Sequence, residues 1–109
     1  MVIQSSPADL KEGDVAILTC ETSMSNPRSS VTWWLDGYVQ PAYQNHTIRG
    51  PGPGEQWSTI SKLRITTTRK TDGQIYTCQG FAEAIPQSVH NAITLHVKCK
   101  YSRKNKLVN

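Results

Sequence analysis

Three cysteines, three histidines and one Asn-X-Thr triplet hold most of the reactive chemistry in this chain of 109 residues. Cys20, Cys78 and Cys99 form no Cys-X-X-Cys pair, and His46, His90 and His96 form no i, i+4 pair, so a zinc site has no support. No serine sits in a nucleophile elbow. The run Gly50-Pro51-Gly52-Pro53-Gly54 opens no helix that would turn backbone N–H groups toward a phosphate. The sequence therefore predicts no catalytic residue, no metal ligand and no cofactor, and we read the chain as a non-enzyme. Asn45-His46-Thr47 is an acceptor for N-linked glycan, which would place the chain on the secretory route.

The elements that must hold these residues read as short strands. Positions 14–22 alternate, with Ala16, Leu18 and Cys20 on one face and Val15, Ile17 and Thr19 on the other, as a half-buried strand requires. Positions 31–35 form a second strand, closed by the Asp36-Gly37 turn signal. Positions 58–68 form a third, with Leu63 and Ile65 inward. Positions 75–78 begin a fourth, and positions 92–97, with Ile93, Leu95 and Val97 on one face, form a fifth. Between Tyr38 and Trp57 the pattern weakens around the Gly/Pro run, since Pro lacks an N–H donor and Gly is costly to order. We expect a surface loop there, carrying Asn45. Positions 80–91, with Pro86 near the centre, are expected to be a second long connection.

Cys20 lies mid-strand, Trp33 follows on the next clear strand, and Cys78 comes two residues after Tyr76. This is the signature of an immunoglobulin-like β-sandwich, here of C2/I-set type and all-β. The signature implies an inter-sheet Cys20–Cys78 disulfide, Trp33 packed on the sulfurs, and a Tyr76 hydroxyl bonded back to backbone at the corner made by Asp72 and Gly73. Neighbours on a strand face opposite ways, so Val31, Trp33 and Leu35 point inward and Trp34 outward. Trp34 is either covered by a neighbouring side chain or the 38–44 segment, or it anchors a protein contact together with Tyr38 and Tyr43.

The formal charge of +4 is not a nucleic-acid signal, because five of the twelve basic residues fall within the last twelve positions. The remaining seven face eight acidic residues, leaving a body of net −1. We divide the chain into a domain at 1–98 and a basic linker or tail at 99–109. Cys99, at that boundary, reads as a free thiol, as a thiol whose partner lies elsewhere in a longer protein, or as a bond to another domain or chain. No apolar run is long enough to span a bilayer, and no secretory signal follows Met1, so the sequence reads as an excised piece.

Several segments narrow the match. Leu18-Thr19-Cys20, Ser25-Asn26-Pro27, the strand from Val31-Thr32-Trp33-Trp34-Leu35 into Asp36-Gly37, Phe81-Ala82-Glu83-Ala84, and Ala92-Ile93-Thr94-Leu95-His96-Val97-Lys98 together resemble internal C2-set domains of the nephrin family of adhesion receptors. Cys99 and the basic run after it depart from the proline-containing junction expected between such domains. The resemblance implies a single-pass type I membrane protein with a row of extracellular immunoglobulin domains. Its expected partner is a Kin-of-IRRE-type receptor on an opposing cell, with neighbouring immunoglobulin domains beside it and the membrane reached only through the parent chain. It further implies roles at specialised contacts such as synapses. Within such a row an internal domain would act chiefly as a spacer or secondary contact. The competing expectations are a direct ligand-binding domain of another adhesion or immune receptor, and an intracellular structural domain with reduced cysteines.

Overall fold

The computed structural model describes residues 1–7, 9–82 and 88–98. Pro86, Glu83 and Ala84 of the long connection, and Cys99 with the basic tail, lie outside them. Among the described residues there is no α-helix. Two four-stranded sheets face each other, joined at one margin by a short parallel pair. The first sheet holds β1 (Val2–Ser6), β3 (Val15–Glu21), β7 (Trp57–Thr66) and β6 (Gln44–Arg49) in the order β1-β3-β7-β6. The second holds β5 (Tyr38–Gln40), β4 (Ser30–Leu35), β8 (Ile75–Phe81) and β9 (Val89–Thr94) in the order β5-β4-β8-β9. The parallel pair is β2 (Leu10–Lys11) with β10 (Val97–Lys98).

Alternation fixes what each strand buries. Along β3, Ala16, Leu18 and Cys20 are fully buried while Val15 and Glu21 are exposed. Their cross-strand partners Ile65, Leu63 and Ser61 continue the inner face on β7. On β4 the inward set is Val31, Trp33 and Leu35, as expected, and Trp33 is 1% exposed. Burial of these side chains, each worth about 1.5–3 kcal/mol for a large apolar group, is what fixes the register.

Two ties hold the sheets together at the centre. Cys20 pairs with Ser61 in one sheet and Trp33 with Cys78 in the other. The Cys20–Cys78 disulfide joins these two rows, and the Trp33 Nε1–H donates to Ser61 Oγ at 2.9 Å alongside it. A covalent bond and a buried hydrogen bond thus run side by side between the sheets.

Four expectations change. The 38–57 stretch is not all loop, because it contains β5 and β6, and Asn45 sits on an edge strand. Its polar residues gave no alternating pattern, yet they pair along all of β6 with β7, whose own burial supplies the template. Second, the fifth strand begins earlier, at Val89, and breaks at Leu95 and His96 before β10. Leu95 and Val97 remain buried, so the face holds although the strand does not run through. Third, β1 and β2 appear where the sequence reading placed no strand. Fourth, the Tyr76 hydroxyl donates to the Gln74 side chain, Oε1 at 3.3 Å, instead of to backbone.

The approach to β8 is fixed by other bonds. Gly73, at φ 84°, donates its N–H to the Leu95 carbonyl, and Asp72 Oδ1 accepts from the Val97 N–H at 2.9 Å. The Leu35-Asp36-Gly37-Tyr38 hairpin has both central residues at positive φ, 51° and 82°, the two-residue loop whose twist suits antiparallel strands.

Candidate functional site: the outer sheet face and the loop pole

Trp34 leaves β4 on the face opposite Trp33 and lies in a row with Val39 on β5, Thr77 on β8 and Ala92 on β9. It is only partly covered. Its Nε1–H donates to Gln79 Oε1 at 3.0 Å, and Gln79 Nε2 donates in turn to Ser88 Oγ at 3.0 Å. These bonds orient the indole, and a side chain oriented in advance costs less entropy to immobilise in a contact. Val39 and Ile75, at 58% and 54% exposure, extend the apolar surface on this face, and Phe81, at 47%, stands at its far end beside Ser30.

The structure separates the three aromatic residues grouped by the sequence. Tyr38 pairs with Leu35, so its position in β5 alternates to the inner side of the sheet, although at 73% exposure it stands clear of the core. Tyr43 belongs to the other sheet: its N–H bonds the Lys62 carbonyl at 2.7 Å and the Arg64 guanidinium lies 5.6 Å from its ring. Val39, Ile75 and Phe81 were not singled out from sequence. The odd positions of β8, counted outward from Cys78, would have found the last two.

A second concave surface lies at the pole where the β3–β4 loop meets the start of β7. Ser25 and Trp57 exchange two backbone hydrogen bonds of 2.8 Å, and Thr59 Oγ1 donates to the Ser29 carbonyl at 2.6 Å. The Asn26–Pro27 peptide in this loop is cis. Arg28 stacks its guanidinium over the Trp57 ring at 3.9 Å, a cation–π contact, in a groove of about 590 Å³ that Glu55 and Phe81 also line. The Ser-Asn-Pro motif seen in the sequence is thus the apex of a loop tied down on both sides.

Asn45 and Thr47 are exposed on β6. Among the described residues no group of three or more His, Cys, Asp or Glu could hold a metal ion, and no helix is long and apolar enough to cross a membrane.

The family model for an immunoglobulin domain matches residues 1–80. The chain belongs to the immunoglobulin domain family. In sequence it is 32% identical over 88 residues to Kin of IRRE-like protein 1 of Rattus norvegicus, which agrees with the resemblance to nephrin-family receptors. That alignment covers 81% of this chain and 11% of the relative, so the chain spans about a tenth of that protein's length. Among solved structures, the full ectodomain of mouse nectin-like molecule 4 superposes with a TM-score of 0.79 at 24% identity, covering 90% of this chain and 33% of that one. The D1-D2 structure of Rst gives 0.70 at 19% identity, with 90% and 48% covered. The C3 domain of an IgNAR antibody gives 0.65 at 22% identity, with 85% and 90% covered. At these identities the three structures establish the fold.

Proposed function

We propose that this immunoglobulin domain is an extracellular module of a nephrin-like, single-pass adhesion receptor, set within a row of similar domains, and that it serves there as a spacer or secondary contact. The observation that carries this reading is the 32% identity to Kin of IRRE-like protein 1 across most of the chain. A disulfide-bridged core and the Asn45 sequon suit an oxidising, glycosylating compartment. No chemistry beyond binding is required of the domain. The partner is a protein on an opposing cell, of Kin-of-IRRE type.

The test replaces this domain, within the full parent receptor, by an unrelated sandwich of equal length and measures aggregation with cells bearing a Kin-of-IRRE-type receptor. Adhesion retained by the replacement but lost on deletion is the outcome expected of a spacer. Adhesion lost with the replacement, while the receptor still reaches the surface, overturns the spacer role.

Trp34, pinned by Gln79 and flanked by exposed Val39 and Ile75, favours a second reading in which the outer face of the second sheet binds a protein directly. Multivalent display of the domain on beads exposes weak contacts of this kind. Capture of receptor-bearing cells that disappears with Trp34→Ala supports it, and capture unchanged by that substitution removes Trp34 from the contact.

A further inference from the structure

Open strand edges present unpaired N–H and C=O groups to any other strand, and folded proteins guard them with Lys, Pro, bulges, extreme shortness or a covering element. Most edges of this domain are guarded in one of these ways. β1 and β9 pack against each other at the margin of the two sheets, β1 runs into Pro7, and β5 has three residues. The edge strand β6 differs: Gln44-Asn45-His46-Thr47-Ile48-Arg49 is six residues long and exposed throughout, with neither Lys nor Pro and with its one formal charge at the last position. It is bonded to β7 on one side and to no strand on the other among the described residues. The sequon lies on this strand. Asn45 and Thr47 pair with buried Ser61 and Thr59, so they point along the inner margin, toward a groove of about 440 Å³ whose opposite wall includes Arg28, Ser29 and Ser30. Those polar side chains suit sugar hydroxyls.

We propose that an N-linked glycan on Asn45 lies along this groove and caps the β6 edge, and that without it two copies of the chain pair through β6. The proposal rests on the secretory-route reading above. A bulky solvated sugar at the second position of the strand does sterically what a lysine does electrostatically on the edge strands of other proteins.

The experiment secretes the whole chain from a glycosylating host and compares it with Thr47→Ser, which keeps the sequon, Thr47→Ala, which removes it, and Thr47→Ala/Ile48→Lys, which removes it but adds an edge charge. Peptide mass spectrometry reads Asn45 occupancy, sedimentation equilibrium reads self-association, and circular dichroism checks that each variant is folded. The expected result is an occupied, monomeric wild type and Thr47→Ser. Thr47→Ala should show a rise of about tenfold or more in association constant, equivalent to about 1.4 kcal/mol, and Ile48→Lys should reverse it. An unoccupied Asn45 in secreted wild type overturns the modification. Occupied Asn45 with a monomeric Thr47→Ala, or association that Ile48→Lys leaves unchanged, overturns the cap alone. The adhesion reading stands or falls separately, on the domain-replacement assay.

Discussion

The Trp33–Ser61 hydrogen bond offers the sharpest check on the core. Ser61 is 0% exposed and Trp33 1%, so water cannot take over if either partner is lost. Ser61→Ala removes the acceptor and leaves the indole N–H buried without one, since indole nitrogen only donates. The cost of stranding a neutral donor is about 1–3 kcal/mol, against about 1 kcal/mol for the net worth of an ordinary hydrogen bond. A cost near the middle of that range, about 2 kcal/mol, corresponds to a fall in Tm of about 8–16 °C for a domain of this size. Urea denaturation followed by far-ultraviolet circular dichroism measures it without relying on the tryptophan as a probe. Trp33→Phe then supplies the control: with no N–H to satisfy, adding Ser61→Ala should cost less than about 0.5 kcal/mol, giving a coupling of about 1.5 kcal/mol. A Ser61→Ala cost below about 0.5 kcal/mol in both backgrounds would refute the reasoning, since only surface changes are expected to be that mild.

Three further outcomes follow from the same geometry. Replacing Cys20 and Cys78 by Ala reopens a loop with a sequence separation of 58, and the chain-entropy estimate for that closure is about 4 kcal/mol, to be read as a shift in denaturant midpoint. Gly37 sits at φ 82° with nothing within 4 Å of the position a Cβ would take, so Gly37→Ala should cost about 1–2 kcal/mol from left-handed backbone alone and Gly37→Asn less, both by thermal unfolding. Tyr76 holds its proton more tightly than an ordinary tyrosine, first because burial penalises the phenolate and second because Asp36 lies near. Because its folded pKa is raised, the stability it contributes is complete below the ordinary tyrosine value and is lost as pH climbs through the folded one. Tyr76→Phe should therefore flatten the alkaline limb of the stability curve, and Asp36→Asn should lower the midpoint of the Tyr76 absorbance titration. An alkaline limb unchanged by Tyr76→Phe would assign it to other groups.

The core was legible because it depends on residues whose alternation has one solution. Cys20, Trp33, Tyr76 and Cys78 each sit on a strand whose neighbours repeat apolar every second position, so face and register could be read together. Ser61 shows what that reading omits. By alternation from Leu63 it is inward, but a serine carries no apolar signal, and only the paired strands bring it opposite Cys20 and within reach of the Trp33 indole. The parallel β2–β10 pair was invisible for a different reason: two residues cannot display a period, and their pairing is set by the distant Thr67 hydroxyl, within 2.9 Å of the Lys11 carbonyl, and by Asp72.

The candidate surface was less legible than the core, and the reason is that exposure has no pattern of its own. Outward residues on a sheet are constrained only by which strands happen to lie beside them. Trp34 could be placed outside from its neighbour Trp33, but its row-mates Val39, Thr77 and Ala92 come from three strands, one of which, β5, is too short to announce itself. The same logic separates Tyr43 from Trp34. The chain crosses from β5 in one sheet to β6 in the other within residues 41–43, and that crossing carries Tyr43 to the opposite sheet although it lies only nine positions from Trp34. From sequence alone Asn45 falls in a loop, because a polar stretch beside a Gly/Pro run looks irregular. The pairing with β7 makes it a strand, and that relocation matters for the proposal above: a glycan on a loop would only decorate the domain, whereas the proposed one on β6 would decide whether another strand can reach that edge.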